Sequence, residues 1–373
     1  MHITKLETIP LHLPVKRVLV ESGGTFSQFD HVLIKLHADN GLVGLGEVEA
    51  YPSFERLGVE TQEGIVAILR DQLGPAILGE NPFDIARIWL KMDKAVEGYL
   101  RVKGGIDIAL YDLLGKHLGV PAYDLIGGRV RDHYVVEGVG YGISIDDPKV
   151  VAKIAKEAVE RGYRQLELKA GDEHPEQDVE RLRKVREAIG TNIPIKIDFN
   201  GFYETKAAIR LIREMEPLGV QWVEQPAKYW DLDGLSEVRS AVTTTIVVDE
   251  PVETSQDMIR VIKHKAADAV HLKPMVKGGL TTVKKIAAIA EAAGLGIVPG
   301  TSSPTGVGAA AAQAFIASCP RLSGGTHGAP LDTLVEDVVT KPVPPDSTVV
   351  YIPTGVGLGV ELDEGIVRKY RAD

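Results

Sequence analysis

Leu166-Glu167-Leu168-Lys169, Ile195-Lys196-Ile197-Asp198, Val220-Gln221-Trp222-Val223-Glu224, Ile246-Val247-Val248-Asp249 and Ala269-Val270-His271-Leu272-Lys273 are five apolar runs of strand length, each ending in a charged residue. The ends fall at positions 169, 198, 224, 249 and 273. That spacing, roughly 25 residues, is what one strand, one helix and two short loops consume, so the stretch reads as a run of βα units feeding a parallel sheet. In a (β/α)8-type TIM barrel the C-terminal ends of the strands build the active site. The five ends then form a ring in the order Lys, Asp, Glu, Asp, Lys.

Asp198, Glu224 and Asp249, on three successive strands, point oxygens at one spot. Three carboxylates so close repel one another, and a hard divalent cation relieves this while leaving positions for water or substrate. Mg2+ fits that description, or Mn2+ in its place. Lys169 and Lys273 lie just outside the acidic trio, and a cation beside a lysine lowers its pKa toward the range of a general base. Each charged strand end taken alone reads as a cap or a salt-bridge partner. Lys273 alone could be a Schiff-base lysine, but that leaves the three carboxylates unexplained. Gly278-Gly279 reads as a helix start before it reads as a phosphate loop.

Working outward, residues 1–128 read as a separate α+β capping unit. Asp39-Asn40-Gly41 is a hairpin turn between Val32–Leu36 and Val43–Val48, because Asn and Gly tolerate positive φ. Glu21-Ser22-Gly23-Gly24-Thr25 and Glu49-Ala50-Tyr51-Pro52-Ser53 read as mobile loops. Helical periodicity covers Thr61–Leu73, Phe83–Val96 with Pro82 in its first turn, and Lys103–Leu118. The barrel, residues 129–340, should begin with strand Tyr134–Ile143 and a helix from Pro148 to Arg161. Its seventh strand lies within Gly294–Gly300 with helix Gly306–Ser318 behind it, and a weakly marked eighth lies near Arg321–Gly325. Residues 341–373 read as a tail crossing back to the capping unit.

At 373 residues, 44% apolar and 25% charged, the chain is long enough for such a barrel and a second, smaller domain. A net charge of −10 without a basic cluster argues against nucleic acid and anionic membranes as partners. No apolar run approaches the ~18 residues of a spanning helix. The N-terminus lacks the features of a signal peptide and reads as a strand. With Cys319 as the one cysteine, a reducing cytoplasm fits.

The motifs together resemble the enolase superfamily, in its muconate-lactonizing-enzyme subgroup within the mandelate racemase/muconate lactonizing enzyme family. Leu168-Lys169-Ala170-Gly171 stands where that family has Lys-x-Lys. Asp198-Phe199-Asn200 matches Asp-x-Asn, Glu224-Gln225-Pro226 matches Glu-Gln-Pro, Asp249-Glu250 matches the start of Asp-Glu-Ser, and Lys273 with Gly278-Gly279 matches the second-lysine motif. The resemblance implies Asp198, Glu224 and Asp249 as Mg2+ ligands, and Lys169 and Lys273 as acid/base lysines on opposite faces of an enolate. It also implies loops near residues 20 and 50 that close over a small carboxylate substrate, and a homo-oligomer. Glu167, Asn200, Thr301 and Ser302 are candidate substrate contacts.

Glu167 departs from the pattern, standing where the family has lysine. It shares a face with Lys169, and Lys196 on the neighbouring strand is placed to neutralise it; the other reading exposes both side chains. Strand seven ends in Gly300-Thr301-Ser302 and strand six in Lys273, which disfavours a His-Asp dyad of the mandelate-racemase kind. The absence of Asp-x-Asp near Leu322–Gly328 argues against a dipeptide substrate. His327 reads as locally bonded before it reads as a substrate contact, and Trp222 and Phe199 as packing. Removing an α-proton beside a metal-bound carboxylate serves racemisation, epimerisation, cycloisomerisation or dehydration. Isomerase chemistry is favoured, dehydration of a hydroxylated acid comes next, and a non-catalytic binding protein on the same fold is the reading outside enzymes.

Overall fold

The structure, a computed structural model, describes residues 1–21, 24–50, 60–136, 138 and 142–372. Three antiparallel strands open the chain: β1 (Ile3–Glu21), β2 (Gly24–Ala38) and β3 (Val43–Ala50), paired in that order. At the expected turn, Gly41 N donates to Ala38 O at 3.1 Å, and of the three turn residues only Gly41 takes a positive φ, 81°. Helices α1 (Gln62–Ile68), α2 (Gly74–Ile77) after a π turn at Leu69–Leu73, α3 (Ile85–Ala95) and α4 (Leu100–Leu118) follow. Their apolar faces, including Ile65, Leu69, Ile88 and Ile106, bury against Val32 and Ile34 of the sheet.

Two expectations in this unit are corrected. Pro82 lies two residues before Asp84, the N-cap of α3, so it belongs to the preceding turn and not to the helix. Glu21, Gly24 and Thr25 belong to strands, with Val20 opposite Thr25 and Glu21 opposite Gly24, because β1 and β2 keep pairing to the tip of one long hairpin. Glu49 and Ala50 likewise end β3. Ser22, Gly23 and residues 51–53 of the expected loops lie outside the described residues.

A second sheet of six parallel strands carries the charged ends. After β4 (His133–Val135) and α5 (Pro148–Glu160) come β5 (Leu166–Lys169), α6 (Pro175–Ile189), β6 (Ile195–Asp198), α7 (Thr205–Met215), β7 (Val220–Glu224) and α8 (Leu232–Ala241). Then follow β8 (Thr245–Val248), α9 (Ser255–His264), β9 (Ala269–Leu272), α10 (Gly279–Ala292), β10 (Gly296–Pro299) and α11 (Gly306–Ser318). The strands run in the order β10-β9-β8-β7-β6-β5. Side chains alternate across each strand. Leu166, Leu168, Ile195, Ile197, Ile246 and Val270 face the helices in the large core, while Trp222, Val247, Ala269 and Val298 form a small apolar cluster of their own. Trp222 is therefore a packing residue, and Phe199 is fully buried in the large core.

Both outer strands differ from expectation. Instead of one strand over Tyr134–Ile143, β4 pairs antiparallel with β11 (Val349–Tyr351), and Val136 and Ile143 make single parallel bridges to Thr326 and Leu168. Gly138 and Gly142, at φ 74° and 107°, interrupt the extended backbone between them; residues 137 and 139–141 lie outside the description. Near the expected eighth strand no ladder forms among the described residues. Ser323 N donates to Ile297 O at 2.7 Å and Thr326 makes its bridge, since Gly324-Gly325 gives the segment little to pack.

The C-terminal segment holds α12 (Pro330–Thr333), β11 and α13 (Glu364–Tyr370). It touches the first sheet where Leu11 bridges Arg371 and where Ala372 N donates to Pro10 O at 3.0 Å. Helix α11 is buried on every side, as a helix apolar all round must be. Its alanines pack with Leu11, Leu13, Phe26 and Leu45 of the first sheet.

Candidate active site

The parallel register sets Lys169 beside Asp198 and Asp198 beside Glu224, with Asp249 and Lys273 immediately beyond β8 and β9. All five are at least nine-tenths buried. Each carboxylate meets a buried lysine, from the ring itself for Asp198 and Asp249 and from within β6 for Glu224. Lys169 Nζ lies 2.9 Å from Asp198 Oδ2, and Lys273 Nζ lies 2.5 Å from Asp249 Oδ2. Lys196 Nζ is 2.9 Å from Glu224 Oε2. The lysines thus bracket the acidic trio at its two ends.

Glu167 and Lys196 are fully buried and 2.7 Å apart, with Glu167 Oε1 2.8 Å from Lys169 Nζ. This is the paired arrangement, not the exposed one. His327 Nε2 lies 3.1 Å from Glu167 Oε2 and its Nδ1 lies 2.9 Å from the Thr301 carbonyl. His327 is therefore a locally bonded histidine tying the segment after β10 to Glu167. Thr301 and Ser302 are buried. Asn200, at φ 42°, donates from Nδ2 to Glu250 Oε1 at 3.2 Å, and its buried Oδ1 has no hydrogen-bond partner among the described residues.

Two residues the sequence reading passed over complete the site. His271 Nδ1 lies 2.6 Å from Glu224 Oε1, and ligand atoms of Glu224, Asp249 and His271 lie within 4.8 Å of one another. His271 stands two residues before Lys273 on one strand, so the alternation of side chains could have found it. A Cβ at residue 300 would fall 1.9 Å from His271 Nε2, so any side chain here would displace the imidazole. Lys277, fully buried, reaches Asp249 Oδ1 at 2.8 Å and the carbonyls of Asp249 and Val252 at 2.8 and 2.7 Å. Nothing in its surroundings in the sequence marks it.

The electrostatics follow from these contacts. Burial pushes the Asp198 carboxyl up to about 7; Lys169 opposes this, and Glu224 and Glu167 add to it. Burial acts the same way on Glu224 and Asp249 but is outweighed, by His271 and Lys196 for the first and by Lys273 and Lys277 for the second, so both lie below the usual carboxylate range. Burial pushes His271 down to about 4, leaving a neutral imidazole that can donate to Glu224. Burial also lowers the Lys273 ammonium, but Asp249 and Glu224 outweigh it and the pKa is raised.

The donor set fits a divalent cation. Glu224, Asp249 and His271 bring ligand atoms within 4.8 Å of one another, and Asp198, beside Glu224 in register, is raised to about 7 by burial with Glu224 and Glu167 adding to it; a cation bound beside these carboxylates would relieve their repulsion. The His271 imidazole, 2.6 Å from Glu224 Oε1, fixes the orientation of that carboxylate.

Residues 4–127 match the family described as "Mandelate racemase / muconate lactonizing enzyme, N-terminal domain", and residues 150–366 match "Enolase C-terminal domain-like". The chain belongs to the enolase superfamily, in its muconate-lactonizing-enzyme subgroup. It is 34% identical over 296 residues to an N-succinyl-L-Arg/Lys racemase of Bacillus cereus, covering 79% of this chain and 78% of the relative. A crystal structure of 2-chloromuconate cycloisomerase from Rhodococcus opacus 1CP superposes with a TM-score of 0.94 at 30% identity, all of both chains being covered. A dipeptide epimerase from Enterococcus faecalis V583, complexed with Mg and the dipeptide L-Leu-L-Tyr, superposes at 0.90 and 30% identity, with 97% of this chain and 100% of that one covered. Like the racemase, epimerase and cycloisomerase that it resembles, the protein is an isomerase.

Proposed function

We propose that the protein racemises or epimerises a small carboxylate, with Lys169 and Lys273 as the two acid/base groups on opposite faces of its enolate. The carrying observation is the placement of the two buried lysines, one at each end of the carboxylate row, paired with Asp198 and Asp249. Asp198, Glu224 and Asp249 hold Mg2+. When bound, the ion supplies a Lewis acid for the negative charge that develops on the substrate carboxylate. Thr301, Ser302 and Asn200 contact the substrate, and Glu167 and His327 hold Lys169 and the Thr301 segment in place.

Residues 129–340 form the closed (β/α)8 barrel, supported by the bridges Val136–Thr326 and Ile143–Leu168 at its seam. Residues 1–128 cap it, with loops near 20 and 50 closing over the substrate, and residues 341–373 return to the cap. The chain assembles with copies of itself, which light scattering at micromolar concentration reads; a monomer there would contradict it. Its setting is the cytoplasm. No helix among the described residues is long and apolar enough to cross a membrane.

A second reading is favoured by one observation. Glu167 contacts Lys169, while Lys273 has no corresponding partner among the contacts described, so the two lysines are unequal. Cycloisomerisation needs one lysine for proton transfer and the other chiefly as a charge. The readings separate when a library of chiral N-acyl amino acids and muconate-type diacids is incubated in D2O with enzyme and Mg2+. Racemisation predicts one α-deuterium and convergence of both enantiomers; lactone formation without such exchange would overturn it in favour of cycloisomerisation.

A further inference from the structure

Two carboxylates of the N-terminal unit reach across to the helices that start directly after the active-site strands. On α4, Asp107 is fully buried. Its Oδ2 accepts from Thr281 N at 3.0 Å, in the first turn of α10, and its Oδ1 accepts from the Trp89 indole at 2.7 Å. On β3, Glu47 is also fully buried. It accepts from Thr305 N at 2.8 Å, Thr305 Oγ1 at 2.6 Å and Gly308 N at 2.7 Å at the start of α11. Next to it, Glu49 accepts from Ser303 N at 3.1 Å, and His31 Nδ1 lies 2.8 Å from Glu47 Oε1.

A carboxylate satisfies the unpaired amides at a helix start and complements the positive end of its dipole. Capping residues ordinarily come from the helix's own sequence. Here carboxylates from 174 and 258 residues away take part, at α11 alongside the local Thr305, which accepts from Val307 N at 3.3 Å, and Asp337, which accepts from Gly306 N at 2.8 Å. The close approach is built in, since a Cβ on Gly104 would fall 2.7 Å from Gly279 N, and one on Gly279 would fall 2.4 Å from Asp107 Oδ2. The Gly278-Gly279 pair is therefore the seat on which α4 rests.

What each cap holds differs. The Asp107 cap fixes the start of α10, whose preceding residues are Lys273 and Lys277, the two lysines gripping Asp249. The Glu47 cap, with Glu49, fixes residues 303–308, directly after Thr301 and Ser302. From this geometry we infer that Asp107 and Glu47 are positioning residues with separate tasks, Asp107 aiming Lys273 at the reacting carbon and Glu47 holding the segment that contacts substrate. The inference rests on the roles proposed above for Lys273, Thr301 and Ser302.

The test uses Asp107→Asn and Glu47→Gln in the full-length protein, with Trp89→Phe as a milder variant that removes one donor to Asp107. Amide hydrogen exchange read by mass spectrometry needs no substrate. Asp107→Asn should speed exchange in residues 273–281 and spare 303–308, and Glu47→Gln should do the reverse. With both enantiomers of N-succinyl-arginine as probes, Asp107→Asn should slow α-proton exchange of one enantiomer about 10- to 100-fold more than the other, the scale of a misplaced catalytic group. The enantiomer affected should be the one that Lys273→Ala silences. Glu47→Gln should raise KM for both enantiomers and leave kcat near wild type. Equal loosening of both segments by each variant, or equal slowing of both enantiomers by Asp107→Asn, would overturn the inference as mere loss of stability. Wild-type enzyme inert toward both probes counts against racemisation of this substrate class, and the exchange pattern then still decides whether the two caps act separately.

Discussion

Glu224→Gln should abolish turnover by about 10^3-fold or more while leaving the fold intact. Glu224 is the middle carboxylate of the trio, and the several kcal/mol of charge stabilisation that a bound divalent ion supplies to the transition state depend on its binding. The amide keeps the shape, but its one oxygen can accept from either Lys196 or His271, which lie 2.9 and 2.6 Å from the two oxygens of Glu224, and not from both. What it removes is the charge. Mg2+ stabilises the folded state by mass action, so the unfolding midpoint of the wild type should rise with millimolar Mg2+ and that of the variant should not. Wild-type activity, or an unchanged Mg2+ response, would remove Glu224 from the ligand set.

Glu167→Gln should destabilise the protein by about 3 kcal/mol at neutral pH, the lower end of what removing one partner of a buried ion pair costs. The lower end applies because each lysine keeps a second carboxylate, Asp198 for Lys169 and Glu224 for Lys196. The sign of the pH dependence follows from the Glu167 carboxyl. Burial raises its pKa, but Lys169, Lys196 and His327 outweigh burial and hold it well below 4.5. A lowered carboxyl stabilises the fold above its ordinary pKa, and that contribution is lost as pH falls toward the folded value. The difference between wild type and Glu167→Gln should accordingly be full at pH 7 and shrink in acid. Denaturant titration at pH 7 and pH 3 reads it; a gap that widened in acid would contradict the pairing.

The charged row was legible because a charged residue ended each apolar run at a repeated interval, and because period two along a strand assigns faces without any tertiary knowledge. Glu167 and Lys196 could be matched for the same reason, and they prove to be register partners on β5 and β6. What escaped is non-local or irregular. The pairing of β4 with β11 joins residues 133 and 351, and no local pattern announces a partner so distant. The segments expected as the first and eighth strands touch their neighbours through single bridges, the first interrupted by glycines at positive φ. His271 was hidden inside a run read as apolar, although its spacing from Lys273 placed it on the same face. Lys277 and Asp107 carry no motif, and only the fold brings them to Asp249 and Thr281.

The central claim is that Lys169 and Lys273 serve opposite faces of one enolate. Proton NMR in D2O on Lys169→Ala and Lys273→Ala, with an active substrate and Mg2+, tests it most directly. Each variant should exchange the α-proton of one enantiomer with solvent while net inversion stops, and the two should choose opposite enantiomers. Complete loss in one variant with partial turnover in the other, or unimpaired inversion in both, would contradict it.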